Sequence, residues 1–248
     1  MPLLYLRGLT GKERSQRANR HLALFLAFIA GATNAGGYVA VKQHTSHMSG
    51  VVSSMADNLA VGKVELVFAG FSALLSFLFG AACTAILVNW GRRRRLQSEY
   101  ALPLMLEAAL LLGFGALGNH LQSQRWPFVS LIILLLCFTM GLQNAIITKI
   151  SRAEIRTTHV TGLVTDIGIE FGKMLFRSRA SSHPEEPLVR ADMKKLWLLV
   201  SLVSLFFSGG LAGGLGFKYI GFASALPMAT ALVILAFMPI LDDLRAFA

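Results

Sequence analysis

Two hexapeptides in this chain carry the residue types that could do chemistry. "TSHMSG" (45–50) and "TTHVTG" (157–162) both read Thr, Ser or Thr, His, an apolar residue, Ser or Thr, Gly. Hydroxyls such as those of Thr45, Ser46, Thr157 and Thr158 suit a helix N-cap, where they accept a bond from an otherwise unpaired backbone N–H. Gly50 and Gly162 admit close approach of another backbone. Free N–H groups and positive dipole ends at two such helix starts favour an anionic or polar ligand. His47 and His159 each add an imidazole, which can donate or accept a hydrogen bond.

Helical spacing extends the pattern. At about 100° per residue, the positions seven and eleven after each His share its face. They are Ser54 and Asn58 in the first copy, Asp166 and Glu170 in the second. Neutral in one copy and acidic in the other, the two stripes suit proton or cation coupling at one site. Alternatively, the acidic stripe is the wet face of an interfacial helix. Asp57 lies off the stripe. Two histidines without a third ligand do not make a metal site, and nothing in the spacing recruits His44. No Walker loop, GxSxG or HExxH is present, and no nucleophile has an oriented base. The reading is therefore of a protein that is not an enzyme and needs no cofactor.

These motifs must be positioned by long apolar elements. The chain has 248 residues, 54% of them hydrophobic, and a mean hydropathy of +0.60. Its apolar residues fall in blocks of the roughly 18–25 residues that match a hydrocarbon core of ~30 Å. Six blocks qualify: 21–41, 64–90, 101–118, 127–148, 196–217 and 222–241. The expected fold is an all-α membrane protein of six transmembrane helices plus two short polar, re-entrant or interfacial helices. Residues 1–20 read as a basic cytoplasmic tail, and the remainder as a single transmembrane domain. The basic start lacks a clear cleavage site and leads into a full-length span, so no signal peptide is expected. Cys83 and Cys137 fall inside spans and read as small buried hydrophobes.

The net charge of +10 does not indicate nucleic acid, because the basic residues sit between apolar runs, where orientation signals belong. With six spans and the N-terminus inside, 19 of the 23 Lys and Arg residues face the cytoplasm. If 46–62 and 158–173 also crossed, the same start would leave only 14 inside. The positive-inside rule therefore favours six spans with both termini cytoplasmic.

The hexapeptides belong to a longer repeat. Gly31 and Asn34-Ala35 align with Gly141 and Asn144-Ala145, and Thr45, His47 and Gly50 with Thr157, His159 and Gly162. Asn and Thr are eleven residues apart in one copy and thirteen in the other. Repeat one covers 21–118 and repeat two 127–241. Three crossings per copy is odd, so the second copy is expected to be inverted, a 3+3 inverted-topology repeat of the kind that recurs in transporters. Asn34 and Asn144 read as cross-helix hydrogen bonders. Glu107, inside a span, is either a coupling acid or close enough to the cytoplasmic end to reach water or the Arg92–Arg95 run. "GGLAGGLG" (209–216) reads as tight helix packing, and 181–195 as a linker.

The segments "GATNAGGYVAVKQHTSHMSG", "MADNLAVG" and "MGLQNAIITKISRAEIRTTHVTG" resemble the bacterial YoaK-like family, multi-pass membrane proteins grouped by a domain of unknown function. The resemblance covers roughly residues 20–240 and implies the bacterial inner membrane. It supplies no substrate. Many relatives have an Asn-Met-Thr-Gly-Asn-like first motif, whereas Ser46-His47-Met48-Ser49-Gly50-Val51 stands here, so an asparagine-based site does not carry onto Val51.

The functional expectation is a transporter of a small polar or anionic solute, with proton coupling as an option. Its site would comprise Thr45, His47, Gly50, Ser54, Asn58, Thr157, His159, Gly162, Asp166 and Glu170, with Glu107 as candidate coupling acid. A non-transporting scaffold or sensor, whose 149–195 loop engages a soluble partner, is the competing reading, and a passive channel is a third. The bilayer is the expected surrounding, and a second copy of the chain is a candidate partner.

Overall fold

The computed structural model describes residues 2–12, 14–118, 126–150, 158–176 and 190–247. It is all helical among these residues: α1 (Pro2–Thr10), α2 (Gln16–Val41), α3 (Met48–Ala60), α4 (Val64–Arg93), α5 (Ala101–Gly118), α6 (Trp126–Ile150), α7 (Val160–Leu175), α8 (Met193–Tyr219) and α9 (Ala225–Phe247). A one-turn 3-10 helix, Gly221–Ser224, joins α8 to α9.

Six of them, α2, α4, α5, α6, α8 and α9, are long and apolar enough to cross a membrane. They coincide with the six apolar blocks of the sequence. α2 begins five residues before its block because Ser15 caps it, accepting from the Ala18 N–H at 3.1 Å. Part of the segment read as a tail is also structured. α1 docks on α9 through a two-pronged Arg7–Asp242 pair at 2.6 Å and a bond from Thr10 Oγ1 to the Leu235 carbonyl. The short α3 ends at Gly62, whose φ of 75° fits a left-handed turn that a side chain would resist. That turn delivers the chain straight into α4.

Helix pairing decides where the short helices go. α2 packs most extensively against α8, α4 against α6, and α5 against α9. The first two crossings are built alike. At α2–α8, a Cβ on Gly31 would lie 2.0 Å from the Phe206 carbonyl oxygen, and one on Gly209 would lie 2.0 Å from that of Phe28. At α4–α6, Gly141 meets the Phe77 carbonyl and Gly80 that of Phe138, each again at 2.0 Å. Backbones can touch this closely only where no side chain intervenes. Hydroxyls reinforce α4–α6: Ser76 Oγ donates to the Leu134 carbonyl at 2.7 Å, and Thr84 Oγ1 to that of Leu142 at 2.9 Å.

α4 and α8 are the outer helices, each with 22% of its apolar window buried. Their free faces carry Phe68, Phe79, Ile86, Phe207 and Leu211, a surface fit for lipid tails rather than water. α3 rests on α4, and α7 on α8. The two short helices thus occupy matching places beside the two tight crossings.

Candidate functional site

The hexapeptides are held by the long helices that precede them. Asn34 of α2 reaches forward to the first: its Oδ1 accepts from the Ser46 N–H at 3.3 Å and from the Ser46 hydroxyl at 2.9 Å. Asn144 of α6 does the same for the second, accepting from the Thr158 hydroxyl at 2.6 Å. Among the described residues, the two asparagines bond to their own hexapeptides instead of across membrane helices, the role that their positions in the sequence suggest. Each ties its own hexapeptide to its own span.

These bonds change the capping chemistry. With Ser46 and Thr158 engaged by asparagine, the N-cap residues of α3 and α7 are His47 and His159, at φ/ψ of −95°/69° and −85°/59°. Neither uses its side chain as a cap. The hydroxyl caps expected of Ser46 and Thr158 are therefore not made. Thr45 is buried below Gly37, its Oγ1 without a hydrogen-bond partner among the described residues. Thr157 lies outside the described residues. The glycines also act otherwise than expected. A Cβ on Gly50 would strike the His47 ring at 2.1 Å, and one on Gly162 would approach the His159 ring to 2.9 Å. Each glycine makes room for its own motif's imidazole, laid over the first helical turn, instead of for a neighbouring backbone.

Both histidines line one cavity of about 970 Å³. Asn34, Ser46 and Ser49 face it from the first half, and Asn144, Thr148, Thr158 and Thr161 from the second. Phe77 and Phe206, from the middles of α4 and α8, complete the wall with Gly141 and two alanines. No Asp, Glu, Lys or Arg is among the described lining residues. The described lining thus mixes hydroxyls, amides and imidazoles with apolar side chains, and the first turns of α3 and α7 both border it.

A second cavity, about 640 Å³, lies beside α3 toward the end of the bundle where α2 stops and α4 and α6 begin. His47, Gly50, Ser54 and Asn58 line it together, as helical spacing predicts. Asn58 Nδ2 donates to the Ser54 carbonyl at 2.7 Å and to its hydroxyl at 3.2 Å, which stiffens that face. His44 lines both cavities, as His47 does. Its ring stacks on Tyr38 at 4.7 Å and 16°, with Asn34 Nδ2 3.3 Å from its Nδ1.

The acidic stripe goes elsewhere. Asp166 and Glu170 line neither cavity, because the start of α8 captures them. Glu170 is buried, 1% exposed, and binds Lys173 Nζ at 2.9 Å and the Asp192 N–H at 2.9 Å. Lys195 Nζ lies 4.0 Å from it and 3.7 Å from Asp166. Asp192 in turn caps α8, accepting from the Lys194 and Lys195 N–H groups. The result is a latch joining α7 to the first turn of α8.

The hydrogen bond from Lys173 and then that from the Asp192 N–H hold the Glu170 carboxyl below the usual range, against the opposing effect of burial. A depressed folded-state value means that the latch contributes fully above the ordinary carboxylate range. It is lost as pH falls through the depressed value. Glu170→Gln keeps an acceptor but removes the charge. Hydrogen exchange at the Asp192 amide should then be roughly tenfold faster at neutral pH, as loss of a charge-assisted bond implies. In the parent protein the protection of that amide, its rate relative to the intrinsic rate at each pH, should fall on acidification, whereas in the variant it should show no such pH step.

Glu107 is also buried, 1% exposed, in α5, with Oε2 unpartnered among the described residues, and it lines neither cavity. Asn34 and Asn144 stand out in the sequence, but their partners lie in the hexapeptides that follow them and not on another span. Thr148, Thr161, Phe77 and Phe206 stand out less. The phenylalanines carry a signal: each stands three residues before a crossing glycine, Gly80 or Gly209.

Comparison with known proteins agrees with this membrane architecture. The chain is 27% identical, over 177 residues, to the UPF0700 transmembrane protein YoaK of Bacillus subtilis (strain 168), covering 68% of this chain and 75% of that protein. No solved structure matches it. The family described as "Protein of unknown function (DUF1275)" matches residues 22–238, nearly the whole bundle, and the chain belongs to that family of membrane proteins.

Proposed function

We propose that this protein carries a small polar or anionic solute across the bacterial inner membrane, through a site between the two hexapeptides. The observation that carries this reading is the cavity of about 970 Å³ that both motifs line between the long helices. Its size suits a metabolite-sized ligand. Hydroxyls, amides and imidazoles without a fixed charge suit a solute that is bound and then released, and the first turns of α3 and α7 favour its negative or acceptor-bearing part.

The bundle is a 3+3 inverted repeat in this proposal, with α2–α5 as one half and α6–α9 as the other. Its support is the duplication of detail: Gly31 on Phe206 against Gly141 on Phe77, and Asn34 on Ser46 against Asn144 on Thr158. Two halves that rock about such matched crossings are a familiar basis for alternating access. Both termini face the cytoplasm, the side that the Lys and Arg count favours. Glu107, away from the cavity, is the proposed coupling acid, since a buried carboxyl inside a span, its Oε2 without a partner among the described residues, suits taking up and giving up a proton.

The test uses the full chain in proteoliposomes containing a pH-sensitive dye. Small carboxylates, inorganic anions and neutral polyols are supplied outside. Saturable uptake of at least one acceptor-bearing solute is expected. Glu107→Gln should preserve downhill uptake and abolish the accompanying pH change. Folded protein that moves none of these solutes would overturn the transport reading in favour of a static scaffold, and flux without saturation would favour a channel.

A further inference from the structure

We propose that His44 is the charge-selecting residue of the passage between the two cavities, favouring solutes that bring a hydrogen-bond acceptor and turning cations away. The inference rests on the transport reading for its purpose, but its geometry stands independently. His44 and His47 alone among the described residues line both cavities. These two residues mark where the cavities adjoin.

The proton on His44 is placed by a chain of obligatory roles. The Ser46 backbone N–H can only donate, so the Asn34 atom facing it is Oδ1. That fixes the amide and turns Nδ2, which can only donate, toward His44 Nδ1 at 3.3 Å. Nδ1 must accept, so the neutral ring carries its proton on Nε2. Stacking on Tyr38 limits rotation of the ring. His44 therefore carries a donor, Nε2–H, on a residue that borders both cavities. A carboxylate, an oxyanion or a carbonyl group meets a partner there, and an ammonium meets another donor. Lys42 points the same way as the charged residue among the described lining of the smaller cavity. At the matching place, just ahead of the second hexapeptide, the sequence has Arg156 instead of a histidine.

Accessibility chemistry tests this without knowing the solute. In the full chain with Cys83→Ser and Cys137→Ala, a thiol is introduced by Thr161→Cys in the larger cavity, or by Ser54→Cys in the smaller. Each is modified with an anionic or a cationic methanethiosulfonate. The ratio of anionic to cationic rates at position 161, normalised to that at position 54, should be at least about tenfold, the effect of one selective hydrogen bond. His44→Ala should bring the ratio to near one, and His44→Gln, which keeps an N–H donor, should restore part of it. Asn34→Asp retains acceptors for Ser46 but presents an acceptor to Nδ1, so it should move the ring proton and lower the ratio. Side-chain ¹⁵N spectra of histidine-labelled protein should contain an Nε2-protonated ring that is missing from His44→Ala.

A normalised ratio near one in the parent, an unchanged ratio in His44→Ala, or an Nδ1-protonated His44 would each overturn the proposal. None of these measurements reads flux. If they hold while proteoliposomes carry nothing, transport fails and the filter stands. If flux is present and His44→Ala leaves the ratio unchanged, only the filter fails.

Discussion

Gly31→Ala and Gly141→Ala should each destabilise the bundle by about 1–3 kcal/mol, the usual cost of overpacking a fitted contact. The added methyl would lie 2.0 Å from a backbone carbonyl oxygen, that of Phe206 or Phe77. A flexible side chain could swing away from it, but a helix backbone can only retreat as a whole. Retreat at α4–α6 also stretches the bonds from Ser76 and Thr84. Gly168 supplies the control. It lies in α7, and a Cβ there meets nothing within 4 Å. Gly168→Ala should therefore stabilise by about 0.5–1 kcal/mol through helix propensity. Combinations sharpen the argument. Gly80 and Gly141 act on one crossing, so Gly80→Ala/Gly141→Ala should cost less than the sum of its parts, since a pair of helices already forced apart has room for the second methyl. Gly31→Ala/Gly141→Ala acts on two crossings and should be additive. Equilibrium unfolding in bicelles of these variants, of Gly80→Ala and of the parent measures the differences. Alanine tolerated at Gly31 and Gly141 as well as at Gly168 would show that the helices do not depend on these contacts.

The long helices were readable because length and apolarity are dictated by the bilayer, whatever the packing. What escaped was tertiary. A window of sequence shows that Ser46 and Thr158 are good caps, but not that asparagines twelve and fourteen residues earlier take their hydroxyls and leave His47 and His159 at the helix starts. The helical stripe held for His47, Ser54 and Asn58, which share a cavity wall. Asp166 and Glu170 turn instead to the start of the next helix, where the Asp192 N–H and Lys195 give the buried Glu170 carboxylate and the half-exposed Asp166 their partners. His44 had no twin in the repeat, so symmetry gave no reason to single it out. Its place between two cavities becomes visible only when α2 and α6 are assembled.

The two asparagines carry the last and most direct prediction about the site. Each connects a rigid span to the residue just ahead of a histidine that lines the cavity, so each determines where that histidine and the first free N–H groups of its helix stand. Asn34 holds three groups: the Ser46 N–H, the Ser46 hydroxyl and the His44 ring. Asn144 holds the Thr158 hydroxyl. In Asn34→Ala and Asn144→Ala, water in the cavity can replace the lost partners, so stability should fall by only about 0.5–1.5 kcal/mol. Positioning has no such substitute, because a site is useful only when its groups are held in place. Uptake should therefore fall by at least about tenfold in both variants, more in Asn34→Ala than in Asn144→Ala, with amide exchange faster in the first turns of α3 and α7 respectively. Thr158→Val should reproduce Asn144→Ala, and the two changes together should add little, since either one breaks the same bond. Either asparagine variant transporting at the parental rate, with its helix start exchanging at parental rates, would mean that these bonds do not build the site.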